Sequence, residues 1–126
     1  MNVTMQAHRA RTLPVRPSTT LFRALGDETR LRIVALLSHG ELCVCHIQEA
    51  LGVSQPNASR HLSVLRAGGV VEPRREGSWV YYRLADQTDE LRKRHLGAIV
   101  RTFAEDLAVR REVEALVKRC GPKACE

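Results

Sequence analysis

Residues 41 to 62, ELCVCHIQEALGVSQPNASRHL, set Cys43 and Cys45 one residue apart, just ahead of a polar stretch. Thiolates favour soft, thiophilic ions, and a bound thiol must give up its proton. On a regular helix, residues two apart point about 200° away from each other. Both sulfurs can therefore meet one ion only if one cysteine lies outside regular helix or the first turn deforms. The other thiols of the chain are Cys120 and Cys125, in CGPKACE, with Arg119 and Lys123 nearby to favour ionised sulfur. An ion that takes three thiolates would need Cys120 or Cys125, from either subunit, to complete the site. Convergence of all four would instead suit cadmium, lead or zinc. Cycling of either pair through a disulfide or persulfide is the redox alternative. His46 reads as a surface imidazole, with ligation as its second use, and His95 stands alone on the final helix.

The polar stretch offers different chemistry. Ser54 is a good N-cap, with Pro56 in the first turn, where a missing N–H costs nothing. Ala58, Leu62 and Leu65 form an inward stripe, which leaves Gln55, Asn57, Ser59, Arg60 and Ser63 on the other faces. Short polar side chains and an arginine near a helix N-terminus suit base edges and phosphates in a DNA major groove. His61 borders the apolar stripe; it reads as a half-buried hydrogen-bonding residue, with DNA contact as its alternative. Arg74 and Arg75 precede a turn and are placed for phosphate contact. Trp79, Tyr81 and Tyr82 are expected to pack in the sheet and core.

These residues need elements to hold them. The stretch at 19–26 reads as a short helix stopped by Gly26. Asp27 caps a second helix, CHIQEALG forms a third ending at Gly52, and the polar helix ends at Gly68 and Gly69. VVEPRREGSWVYYRL reads as a two-stranded hairpin, with Pro73 marking an exposed edge. From about Asp86 to Cys120 a single long helix is expected, with Leu96, Ile99, Phe103 and Leu107 in one stripe and Val113, Leu116 and Val117 continuing it. The fold class is mainly α with a small β-hairpin, a winged helix-turn-helix. The surplus final helix needs an apolar partner, so a homodimer through terminal helices is expected. The domain division is 1–17 as a flexible basic arm, 18–119 as the DNA-binding and dimerisation domain, and 120–126 as a flexible cysteine-containing tail.

The balance of 20 Lys and Arg against 14 Asp and Glu gives a formal charge of +6, which favours a polyanion such as double-stranded DNA. No apolar run approaches the ~20 residues of a membrane span, and the N-terminus lacks the apolar centre of a secretory signal. The expectation is a cytoplasmic chain whose cysteines stay reduced. There is no Ser/His/Asp set, paired-carboxylate arrangement or phosphate-cradling glycine loop, so the chain does not read as an enzyme. No organic cofactor is expected.

ELCVC, followed by HIQEALGVSQPNASRHLSVLRAGGVVEPRREGSWVYYRL, resembles the metal-responsive ArsR/SmtB repressors, most closely their arsenic-responsive branch. The likeness runs from about Thr19 to Leu84. It implies a homodimeric repressor on a palindromic operator, released when a toxic metal or metalloid binds, here As(III) or Sb(III) held by Cys43, Cys45 and Cys120 or Cys125. In that branch a third cysteine commonly stands three residues after the second. Gln48 occupies that place here, and His46 stands where the family usually has Asp.

Overall fold

The computed structural model describes residues 14–119; Cys120 and Cys125, expected as ligands, lie outside them. Helix α1 (Arg16–Leu25) and α2 (Glu28–Leu37) are followed by a short strand β1 (Leu42–Cys43) and then by α3 (Val44–Leu51) and α4 (Gln55–Ala67). Strands β2 (Val71–Glu76) and β3 (Trp79–Leu84) form the wing, and α5 (Glu90–Ala104) and α6 (Leu107–Arg119) complete the order.

Local chemistry explains most of the boundaries. The Asp27 carboxylate accepts from the Arg30 N–H at 3.1 Å and caps α2. The Ser54 hydroxyl accepts from the Asn57 N–H at 3.3 Å and caps α4, with Pro56 in its first turn. Gly52 ends α3 at φ +66°, a left-handed conformation that glycine adopts without a Cβ penalty. Helix α1 begins at Arg16, two residues inside the stretch read as a basic arm.

The wing departs from the expected two-stranded hairpin. It is a three-stranded antiparallel sheet in the order β1-β3-β2, with Leu42 paired to Tyr82 and Cys43 to Tyr81. Two residues are too few to display strand alternation, and both are buried, so the sequence carries no period-two signal for β1. β2 is an edge strand, consistent with Pro73.

The expected single terminal helix is two. α5 starts at Glu90, where the Asp89 carboxylate accepts from the Arg92 N–H at 3.0 Å. It stops at Ala104, and the Asp106 carboxylate accepts from the Val109 N–H at 3.1 Å at the start of α6. Side-chain caps at Asp89 and Asp106 thus override the apolar stripe. Leu107 falls at the break, 60% exposed, while Leu96, Val113 and Leu116 remain inside.

The core joins Leu21 of α1, Ile33, Val34 and Leu37 of α2, Ile47 of α3, and Leu62 and Leu65 of α4. Val70 and Val71 at the wing root and Leu96 of α5 extend it. Arg92, 9% exposed, locks three elements: its guanidinium donates to the Gly68 carbonyl at 2.6 Å, the Pro17 carbonyl at 3.3 Å and the Gln87 side chain at 2.8 Å. Charged donors of this kind are worth roughly 1.5–3 kcal/mol each, and their loss strands buried carbonyls. Arg92→Ala is expected to lower unfolding free energy by about 2–4 kcal/mol, read as a shift in urea midpoint.

Candidate functional site

Cys43 is the N-cap of α3, in extended backbone at φ −76° and ψ 159°, whereas Cys45 sits in the first turn of the helix. The extended cap releases the first sulfur from helical geometry, which satisfies the condition set by a Cys-X-Cys spacing. The two side chains meet as a disulfide, with Cα atoms 5.3 Å apart. Cys43 is fully buried and Cys45 partly so.

His46 differs from the surface imidazole expected of it. It is only 8% exposed, because it turns back over the helix start. The Cys43 backbone N–H donates to its Nδ1 at 3.2 Å, and the His46 backbone N–H faces the Cys43 sulfur, giving a reciprocal cap. The ligand atoms of Cys43, Cys45 and His46 all lie within 4.8 Å of one another. In reduced form, these residues offer two sulfurs and one nitrogen. Two sulfurs fit two positions of a trivalent metalloid, and the described residues supply no third thiol for its pyramid.

Helix α4 shows Ser54, Gln55, Ser59, Arg60 and Ser63 on its exposed surface, with Asn57 half-buried. Ala58, Leu62 and Leu65 are the buried stripe. Arg60 donates to the Asn57 side-chain oxygen, so these two are pre-arranged by each other. His61 turns toward α2: Arg30 donates to its Nδ1 at 3.4 Å, which makes that nitrogen an acceptor. Arg30 itself is anchored by donating to the Ala24 carbonyl at 2.6 Å. Arg66, exposed on the last turn of α4, adds a cation that the motif-based reading did not select.

A cleft of about 340 Å³ lies between α3, α4 and the wing, lined among others by Cys45, Gln48, Gln55, Ser59, Arg75 and Trp79. The thiol region and the exposed polar residues of α4 thus border a single space. Trp79 is 42% exposed, not packed in the core as expected, because it opposes Glu76 beside the Gly77–Ser78 turn, beyond the reach of the helices. Tyr82 does pack against the core.

Arg75 is exposed on β2, whereas Arg74 is already engaged. It donates to Glu41 through Nη2 at 2.6 Å and Nε at 3.0 Å, and through Nη1 to Glu76 at 3.3 Å, while lying over the Tyr81 ring. The Arg74 hydrogen bond holds the Glu41 carboxyl below its ordinary range, and the same bond raises the arginine above its own. Glu41 therefore competes for a charge that the sequence places at DNA. The signal was not in the α4–wing motif but across 33 residues of chain.

Residues 27–72 match the model of a bacterial regulatory protein family, the arsR family. A solved homodimeric winged helix-turn-helix DNA-binding domain from Mycobacterium bovis, described as a possible ArsR-family transcriptional regulator, is 30% identical. It superposes with a TM-score of 0.57 over 86% of this chain and 88% of that one. The chain belongs to the ArsR family. Among curated members, the arsenical resistance operon repressor of Escherichia coli K12 is 58% identical over 66 residues, 52% of this chain and 56% of that protein. A cadmium resistance transcriptional regulatory protein homologue of Staphylococcus aureus is 44% identical over 68 residues, 53% of this chain and 56% of that protein. The chain spans about half the length of these curated relatives. Among the described residues, no helix is long and apolar enough to cross a membrane.

Neutralising Glu41 should free the wing arginine. With Glu41→Gln, affinity for duplex DNA is expected to rise, and its log–log salt dependence to steepen by about 0.9 per wing. Anisotropy titrations across a potassium chloride series measure both.

Proposed function

We propose that this ArsR-family chain is a cytoplasmic transcriptional repressor. It binds a palindromic operator as a homodimer and leaves when As(III) or Sb(III) is captured by cysteine thiolates. The observation that carries this reading is the shared cleft: Cys45 and the exposed residues of α4 and β2 line one space. Ser54, Gln55, Asn57, Ser59, Arg60 and Ser63 present α4 to a major groove, and Arg75 faces the flanking backbone, joined by Arg74 when Glu41 releases it. His61, occupied by Arg30, orients the helix more readily than it reads bases.

Two features support the assembly. An apolar hollow of about 370 Å³ opens between α1 and α5, lined by Phe22, Leu25, Leu31, Ile99 and Phe103, and Phe22 is 47% exposed. Such a surface suits a two-fold partner. At the other end of the chain, Arg119 approaches Glu49 of α3 at 3.5 Å. In this reading Cys120 or Cys125, from either subunit, is the third thiolate.

Coupling runs through α3. Both sulfurs sit at its start, and Gly52 and Val53 alone separate its end from the cap of α4. Drawing Cys43 and Cys45 toward a third sulfur repositions the first turn of α3, and α4 moves with it. Two half-sites one DNA turn apart tolerate little change in their relative orientation. A coupling of ~1–3 kcal/mol lowers operator affinity about 5- to 150-fold.

The disulfide favours a second reading, in which oxidation of Cys43 and Cys45 drives release without metalloid. Gel shifts on the native operator separate the two. Under full reduction, arsenite is expected to release the wild type, to fail with Cys43→Ser, and to require much higher concentration with Cys120→Ser plus Cys125→Ser. Release by peroxide alone, with indifference to arsenite under reduction, would establish the redox reading instead.

A further inference from the structure

We propose that Asn57 and Arg60 act as one donor-only unit on α4, which reads a guanine in each half of the operator. The inference rests on the reading that α4 enters a major groove, and it adds which base the helix selects and why. Arg60 donates through Nη2 to the Asn57 side-chain oxygen. The two residues lie on adjacent turns of one helix face. Asn57 is half-buried and its backbone N–H is held by the Ser54 hydroxyl, whereas Arg60 is exposed. The amide is thus the fixed member, and the guanidinium is the one that reaches outward.

The donor inventory decides what such a pair can read. A guanidinium has only N–H groups, so the amide turns its oxygen toward Arg60 and its NH2 away. That orientation removes the pairing by which asparagine reads adenine. Such a pairing needs the amide oxygen for N6–H and an amide N–H for N7. Arg60 commits one N–H to Asn57 and keeps the rest of its fork. What faces outward is a row of donors with no acceptor among them. In the major groove only guanine sets two acceptors, O6 and N7, side by side. Adenine places its N6 donor beside N7, and cytosine offers its N4 donor, so each would set N–H against N–H. Thymine has the single acceptor O4.

Position and pre-arrangement point the same way. Both residues belong to the N-terminal half of α4, the part of a reading helix that contacts base edges. Arg66, on the last turn, lies at the other end. A long side chain loses rotamer freedom on binding, and a partner already in place lowers that cost.

The test uses sites that the full-length reduced protein itself enriches from randomised duplex DNA. Each enriched half-site is expected to hold one invariant G·C pair, and A·T in its place should weaken binding about 5- to 150-fold. Exchanging that guanine for its deaza analogue, with carbon in place of N7, keeps Watson–Crick pairing and removes one acceptor. Wild-type affinity, from anisotropy, should then fall at least about fivefold, whereas Arg60→Ala should bind both duplexes equally within about twofold. Asn57→Asp retains an acceptor for Arg60 and should keep the guanine preference; Asn57→Ala should reduce it. An unrelated duplex, held through its phosphates, should bind wild type and Asn57→Ala alike, which a merely misfolded variant would not do. Wild type indifferent to the deaza analogue at every guanine, a result that needs no variant, would overturn the proposal. So would an A·T preference that Asn57→Ala abolishes, since the amide would then be reading adenine. If the protein enriches sites without a guanine contact, the repressor reading stands and this inference alone fails. If it enriches no duplex, both fall.

Discussion

The antiparallel pairing of Leu42 and Cys43 with Tyr82 and Tyr81 is the constraint on which the rest depends. It makes one residue serve at once as the end of a strand and the cap of a helix. As a strand residue, Cys43 is fixed to the central member of the wing sheet. As an N-cap, it sets the direction in which α3 leaves. A change at that sulfur is therefore felt on both sides of the cleft, by the wing through the ladder and by α4 through α3. Without the pairing, the wing would be a two-stranded hairpin held to the core through Val70, Val71, Tyr82 and Leu84, with no tie to the start of α3.

Electrostatics reinforce the same junction. Glu41, the residue before β1, grips Arg74 on the far strand of the wing, and Glu72 pairs with Arg83 across it. Exposed pairs of this kind contribute little to stability singly. Their effect here is positional: Arg74 lies over the ring of Tyr81, the residue paired with Cys43 in the ladder. The wing consequently presents Arg75 more freely than Arg74, although the two adjacent arginines look equivalent in sequence.

The fold was largely readable because its signals are local. Asp27 and Ser54 announce helix starts, Gly26, Gly52 and Gly68 announce stops, and Ala58, Leu62 and Leu65 mark the inner face of α4. What escaped sequence reasoning was either too short or too distant to register. β1 has two residues and no alternation. The break between α5 and α6 lies in a continuous apolar stripe, betrayed only by Asp106. Burial of His46 follows from a bond to the residue three before it, and the pairing of Glu41 with Arg74 spans the whole helix-turn-helix. The cysteine pair was legible as chemistry, and its need for a non-helical first member was legible as geometry. The placement of that member in a sheet was not.

Pro73 lies on β2, the outer strand of the sheet, followed by two arginines. A strand margin with a missing donor and adjacent positive charges is a poor template for another chain. Molecules crowded together thus have little tendency to zip up through their sheets.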